Sequence, residues 1–278
     1  MPLLSQNNFQ TEIISADSRQ CYKELNIGVA RPLAEELQEV KHHFIASHSI
    51  HEEITVADFE IYALQKVNEL FRQHDVVVMV GGTGLYIKAF CEGLDAIPQV
   101  PDEIRTAIIF NYDKQGMDWL QKEIEQKDPA FFEKGEMKNP QRMMRALEVI
   151  ESTGQSILDF QKGKKAERGF NIIKIGLQLP KEELHERINT RVDQMMETGL
   201  LNEVKELLPY KQLNALHTVG YKELFDFLEN KISLNEAVEL IKKNTRHYAK
   251  RQMTWFKKDK EVKWFNPSEV KEMIAFAE

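Results

Sequence analysis

The sequence predicts an α/β fold with a parallel sheet, and two runs of residues carry that reading. Glu12-Ile13-Ile14-Ser15 is a short β-branched strand that passes directly into the polar turn Asp17-Ser18-Arg19-Gln20. Asp75-Val76-Val77-Val78-Met79-Val80 reads as a buried parallel strand, closed by Gly81-Gly82-Thr83-Gly84 and followed by a helical pattern from Leu85. Between them Thr55 is a plausible N-cap with Asp58 three residues on. Phe59, Ala63, Val67, Leu70 and Phe71 then follow at helical spacing, which predicts an amphipathic helix over 56–73. Strand, helix, strand, glycine turn, helix is the order of an α/β sheet. Reacting groups in such sheets gather where strands end, so Asp17 is the first candidate for chemistry.

The chain then changes character. Residues 97–168 contain no convincing strand and several helix signals: Pro101-Asp102 can open one helix, and Asn139-Pro140 is a good N-cap and N1 pair for another that ends at Gly154. This segment is expected to be a helical insertion, with the polar run from Gln161 to Gly169 as the loop that returns the chain to the sheet. A strand is predicted over Ile172 to Leu179, then a helix from Lys181 to Thr198 with Leu184, Ile188, Val192 and Met195 as its core stripe. From there the pattern is helical to about Phe256. The division expected is therefore 1–96 for the first part of the α/β core, 97–168 for the insertion, and 169–278 for the return strand and C-terminal helices.

With 278 residues, 42% of them apolar, the chain can bury a core of its own. Its 37 basic and 44 acidic residues give a net charge of −7, which argues against a general nucleic-acid coat protein. The distribution is uneven. Nine Lys or Arg and two acids lie between Lys242 and Trp264, so that stretch is +7 on a remainder of −14 and suggests a polyanionic partner bound at one place. Cys21 and Cys91 are too few for a disulfide framework or a four-ligand metal site, so a reducing, cytoplasmic compartment is expected. His42, His43, His48 and His51 read mainly as a polar surface. The longest aliphatic run, Val76 to Val80, is too short to cross a bilayer, and MPLLSQNNFQ lacks the form of a secretory leader.

Four groups of residues can carry chemistry, each beside a plainer account. Gly81-Gly82-Thr83-Gly84 can set backbone N–H groups, a hydroxyl and a helix start around an anion or a base edge, or can simply make a tight turn. Arg142 and Arg145 share one helix face opposite Met143, Leu147 and Ile150, which suits either phosphate contact or a solvated basic edge; Gln141 adds a side chain able to read a base. Arg187 and Arg191, four apart, can clamp a diphosphate, while surface salt bridging is the competing account. From Arg246 to Phe256 cations alternate with aromatics, as suits nucleotide stacking, although a helix packing Tyr248 and Trp255 inward has the same composition.

In order along the chain, ISADSRQCYKELNIGVARP, VADF, VGGTGLYIKA, NPQRMMRALEVIESTG, HERINTRVDQMMETGLLNEV, HTVGYKEL and RHYAKRQMTWF resemble the tRNA dimethylallyltransferases, also called tRNA isopentenyltransferases. The resemblance implies a P-loop nucleotide-kinase-type, ATP-binding core with a helical insertion. It further implies a prenyltransferase that, with Mg²⁺, moves a dimethylallyl group from dimethylallyl diphosphate to the exocyclic amine (N6) of the adenosine 3′ to the anticodon, in the anticodon stem-loop of tRNA; a monomer is expected. By the same resemblance Asp17 matches the general base, and Ser18, Arg19 and Gln20 continue its tRNA-contacting turn. Thr83, Arg105 and the strip Gln141, Arg142, Met143, Met144 and Arg145 match tRNA contacts, and Arg191 matches the arginine that steadies the diphosphate. His217 to Lys222 and the 246–256 segment, with Arg246, Lys250 and Arg251, correspond to further tRNA-facing surface.

One departure stands against this. The family opens with a strand, a GPTxxGKT phosphate loop and a helix, whereas no GxxxxGK[ST] occurs here and only eleven residues precede Glu12. A βαβ unit needs about 30 residues. Two expectations follow: a shortened chain of an active enzyme, or a truncated tRNA-binding paralogue without catalysis. An in-frame phosphate loop upstream of Met1 favours the first, and a nearby stop codon the second. A small-molecule kinase of related core is a third reading, which leaves the insertion and the basic stretch unexplained.

Overall fold

The computed structural model describes residues 9–278. In chain order the strands are β1 (Ile13–Ser15), β2 (His42–His43), β3 (Val78–Val80), β4 (Ile175–Leu177) and β5 (Lys263–Phe265). The helices are α1 (Ala34–Glu39), α2 (Val56–Leu70), α3 (Gly84–Glu92), α4 (Asp102–Lys127), α5 (Pro129–Lys134), α6 (Pro140–Thr153), α7 (Ile157–Phe160), α8 (Lys181–Glu197), α9 (Leu200–Leu207), α10 (Tyr221–Leu228), α11 (Leu234–Phe256) and α12 (Val270–Ala277). They form two compact units. One comprises the chain up to Cys91 and from Arg168 onward, and the other runs from Glu92 to Glu167.

The first unit is built around β1. It lies between β2 and β3 in a three-stranded parallel sheet, with Ile13, Ile14 and Ser15 opposite Val78, Met79 and Val80, and all three of its residues are buried. A central parallel strand is covered on both faces, which is why its sequence is apolar without alternation. The helix expected over 56–73 is α2, capped as predicted: Asp58 N–H donates to Thr55 Oγ1 and Thr55 N–H donates to Asp58 Oδ2. It buries Phe59, Ala63, Val67 and Leu70, and stops at Leu70, after which Phe71 to Gln73 form a turn. Phe59 stacks on Tyr86 of α3 at 4.2 Å, and Phe44 meets Phe59 edge-on, so an aromatic cluster joins the two helices that flank β3. Arg168 completes the end of α3: its guanidinium donates to the carbonyls of Ala89 and Phe90 and pairs with Glu60 at 2.6 Å. Carbonyls at a helix end have no partner within the helix, and this side chain supplies one.

Two expectations about this unit are corrected. The strand after the insertion does not return to the first sheet. It is limited to Ile175–Leu177 and pairs in parallel with β5, a strand that periodicity cannot find in three residues beginning with lysine. Gly176 is what lets it lie there, since a Cβ would come within 2.6 Å of the Trp264 ring. Nor are the paired histidines a polar surface: His42-His43 is β2, and His43 is buried with its Nε2 2.5 Å from Glu12 Oε2.

That contact makes stability depend on pH. Burial pushes the Glu12 carboxyl up, but hydrogen bonds from His43 and Lys41, helped by their charge, outweigh it and hold the group below its ordinary 4.5. A carboxyl depressed by folding adds stability above its unfolded value and loses it as pH falls through the folded value. Glu12→Gln should therefore lower the urea midpoint at pH 7 and converge on wild type as the pH falls from 4.5 through the lower folded value. A gap that persists in acid would contradict the assignment.

The second unit is helical, with a core of Ile108, Leu120, Ile124, Phe131, Met143, Met144, Leu147, Val149 and Ile157. Asn139 caps α6 through the Arg142 N–H, and Gly154 ends it in the left-handed region at φ 71°, as the sequence signals. Its long helix α4 is interrupted at Gly116, whose φ of 73° breaks the helical path. Buried Asp128 caps α5 and accepts from Ser156 Oγ at 2.8 Å, tying α7 to the same corner.

Candidate functional site

The site is assembled where β1 and β3 end. Beyond the last ladder pair, Ala16 N–H donates to Val80 O at 2.7 Å and Ala16 O accepts from Thr83 N–H at 3.1 Å, so the glycine turn is pressed against the end of β1. Only glycine allows this approach, because a Cβ on Gly81 would lie 2.3 Å from the Ala16 carbonyl oxygen. The next residue is Asp17. Its Oδ1 accepts from Arg19 N–H at 2.8 Å and Gln20 N–H at 3.2 Å, an Asx turn that fixes the carboxylate by its own backbone. Its second oxygen takes no hydrogen bond from the described residues. One oxygen thus orients the group while the other is free to accept a proton.

Thr83 joins the two turns. Its Oγ1 accepts from Ser18 N–H at 3.0 Å and lies 3.3 Å from Ser18 Oγ. The α11 helix covers the glycine turn from the other direction: Gln252 Nε2 donates to Gly82 O at 2.9 Å, and a Cβ on Gly84 would meet Trp255 Cδ1 at 2.3 Å. Tyr248 lies one turn before Gln252 on the same face. Burial, and after it the charge of Asp17, push the Tyr248 phenol up, so the ring lies within reach of that carboxylate's field. Arg251 sits 5.6 Å from the Tyr248 ring centroid. Both aromatics keep part of their surface accessible, Tyr248 at 42% and Trp255 at 37%, while Trp255 also packs against the glycine turn. Cys21 is fully buried beside the turn, its thiol pushed up to about 12 by burial and then by Asp17, and it stays protonated and inert.

The cations around this corner differ in how far they are committed. Burial, then the charges of Lys222 and Arg19, hold the His217 imidazole below its usual value, which keeps it neutral at pH 7. Arg246 donates to Asn189 Oδ1 on α8 at 2.6 Å. Arg191, one half-turn further along α8, is exposed and makes no ion pair or side-chain hydrogen bond among the described residues, whereas Arg187 is paired with Glu183 at 2.8 Å. Lys250 and Arg251 are exposed. In the basic stretch Asp259 and Glu261 both pair with Lys174 at 2.7 Å.

Several predicted positions have other employment. The Gln20 amide donates to the carbonyls of Val29 and Ala30, and its Oε1 accepts from Ser15 Oγ, so this side chain braces a loop instead of facing outward. Tyr221, inside the 217–222 segment, is completely buried. In the second unit Arg105 and Gln141 are exposed. Of the strip that by resemblance contacts tRNA, Met143 and Met144 lie in that unit's core, because the apolar face of α6 is turned inward. Arg142 pairs with Glu136 at 2.6 Å and Arg145 with Glu148 at 2.9 Å, so each arginine of this helix edge has a carboxylate partner. Sequence reasoning missed Gln252 as the brace of the glycine turn and Glu203 as an acceptor for the loop after Asp17; no local pattern marks either.

No three His, Cys, Asp or Glu side chains converge on a metal position among the described residues. Asp17 with the hydroxyls of Ser18 and Thr83 makes no cage. Mg²⁺ keeps several waters and is commonly held by a substrate's phosphates with one or two protein oxygens.

Comparison with known proteins places these features. The IPP transferase family profile matches residues 20–259. A tRNA dimethylallyltransferase of Christiangramia forsetii is 52% identical over 258 residues, covering 93% of this chain and 85% of its own. One from Cytophaga hutchinsonii is 46% identical over 270 residues, covering 97% and 89%. Among solved structures, the full-length tRNA isopentenylpyrophosphate transferase of Bacillus halodurans matches with a TM-score of 0.71 at 33% identity, over 99% of this chain and 89% of that one. A eukaryotic dimethylallyltransferase, captured acting on tRNA, shares the fold at a TM-score of 0.77 and 24% identity, over 99% and 72%.

Proposed function

The chain belongs to the IPP transferase family of tRNA dimethylallyltransferases, and from that premise we propose that Asp17 is the base of a prenyl transfer to tRNA. The protein is a transferase that places a dimethylallyl group on the exocyclic N6 amine of the adenosine 3′ to the anticodon. The observation that carries the residue assignment is the Asp17 carboxylate itself, with one oxygen pinned by two backbone amides and the other uncommitted.

The chemistry follows from that asymmetry. The target adenine leaves its stack at a cost of a few kcal/mol, which is least in an anticodon loop that is already single-stranded. Its amine nitrogen attacks the allylic carbon of dimethylallyl diphosphate, the C–O bond breaks, and the electron pair departs with the diphosphate. Asp17 accepts the proton that the nitrogen sheds. Arg191, without an ion pair among the described residues, is suited to steady the departing diphosphate. Tyr248 and Trp255 offer exposed rings for an unstacked base, and Arg19, Lys222, Arg246, Lys250 and Arg251 offer charge to the tRNA backbone. Ser18 and Thr83 hold the turn that carries Asp17. Arg105, Gln141, Arg142 and Arg145 are proposed as tRNA contacts of the second unit, the last two by exchanging a carboxylate for a phosphate. Mg²⁺ is proposed to arrive on the donor's diphosphate, where it would neutralise the leaving group's charge; none of these side-chain roles depends on it. No described helix is long and apolar enough to cross a membrane, and a tRNA substrate supports a cytoplasmic reaction.

The test is incorporation. The full chain incubated with labelled dimethylallyl diphosphate, Mg²⁺ and unmodified tRNA should place label on the adenosine 3′ to the anticodon. Tight tRNA binding with no label would overturn the reading in favour of a binding protein without catalysis.

A further inference from the structure

We propose that Glu203 and Tyr221 are positioning residues, which hold the loop 20–31, and through it the Asp17 turn, in the geometry that transfer requires; this rests on Asp17 being the base. Glu203 on α9 takes three hydrogen bonds on one carboxylate: from Ile27 N–H at 2.8 Å, Gly28 N–H at 3.1 Å and the Tyr221 hydroxyl at 2.5 Å. Tyr221 is fully buried, and Glu203 is the acceptor for its hydroxyl. Gly28 is packed against the same ring, where a Cβ would come within 2.6 Å of Tyr221 Cε2.

From this anchor a continuous set of contacts leads to the catalytic turn. Ala30 N–H donates to Ile27 O, the Gln20 amide donates to Val29 O and Ala30 O, and Gln20 N–H donates to Asp17 Oδ1. Arg31 closes the loop from within by donating to the carbonyls of Tyr22, Lys23 and Leu25. A loop of this length without regular structure needs such partners for its backbone, and here those reaching it from α9 and α10 converge on one carboxylate. The helices themselves are seated by other means: Leu200, Val204, Leu207, Leu216 and Leu224 are buried in the unit's core. Loss of the Glu203 contacts should therefore release the loop and leave the helices in place. Support of this kind around a reacting group is what keeps its geometry productive.

Amide hydrogen exchange on the full chain tests the proposal without relying on activity. In Tyr221→Phe and Glu203→Gln the Arg19 and Gln20 amides should exchange about tenfold faster, together with those of Ile27 and Gly28, the change expected for one lost hydrogen bond. The amides inside β1 and α11 should not change. A speed-up confined to Ile27 and Gly28, or one shared by every amide, overturns the proposal. A kinetic readout separates positioning from stability. Tyr221→Phe should lower kcat about tenfold at unchanged tRNA affinity. It should have no effect on the residual rate when Asp17 is already alanine, whereas an equal fractional loss in both backgrounds overturns it. If Asp17→Ala alone leaves the rate intact, it is the base assignment that fails, and the exchange data still decide the positioning role. Gly28→Ala presses on the Tyr221 ring while leaving the carboxylate untouched, and should reproduce the exchange pattern of Tyr221→Phe.

Discussion

Gly81→Ala is expected to destabilise the first unit by about 3 kcal/mol, combining a steric clash with the loss of backbone hydrogen bonds. The added Cβ would lie 2.3 Å from the Ala16 carbonyl oxygen, and both partners in that clash are backbone, so no flexible side chain can swing aside. Relief requires β1 and the glycine turn to separate. That movement stretches the Ala16–Val80 and Thr83–Ala16 hydrogen bonds and withdraws Thr83 from Ser18. In a chain of this size such a loss corresponds to a fall in melting temperature of about 5–10 °C, measured by calorimetry. Transfer should fall further than stability at a temperature where the variant remains folded, because the displaced turn carries Asp17, the proposed base. A melting temperature within a degree of wild type would mean that the turn yields easily and that the close approach is incidental.

Local chemistry determines which parts of this structure are legible in the sequence. The end of β1 is legible because a β-branched run stops at an Asx turn, and the α6 boundaries are legible because Asn139 and Gly154 are a cap and a stop in the chain's own neighbourhood. Gly81 to Gly84 announce a turn, though not that each of Gly81, Gly82 and Gly84 faces a specific neighbour. The remainder depends on residues far apart in the chain. Gln252 reaches Gly82 across 170 positions and Glu203 reaches Gly28 across 175, and no window of sequence contains both partners. The strands β2 and β5 are hidden because two histidines, or a lysine with two aromatics, are too few to show a period. Met143 and Met144 belong by resemblance to a contacting strip, but the helix turns them inward and leaves Arg142 and Arg145 to the surface, each with a glutamate at hand.

Replacing Asp17 should have the largest effect on chemistry of any single change. A base positioned on the reacting proton contributes about 10²–10⁴-fold to rate. Affinity for tRNA comes mainly from charge spread over many phosphate contacts, to which one carboxylate adds nothing favourable. Asp17→Ala removes both the base and the acceptor for the Arg19 and Gln20 amides. Asp17→Asn is the cleaner change, since its Oδ1 can still accept from both amides and preserve the turn while the side chain can no longer take a proton. The decisive measurement is the single-turnover rate of dimethylallyl transfer by wild type and Asp17→Asn on saturating unmodified tRNA, with the tRNA Kd of each protein determined in parallel. A base at this position predicts a rate lower by about 10²–10⁴-fold at nearly unchanged Kd. An intact rate, or losses of equal size in rate and affinity, would contradict it.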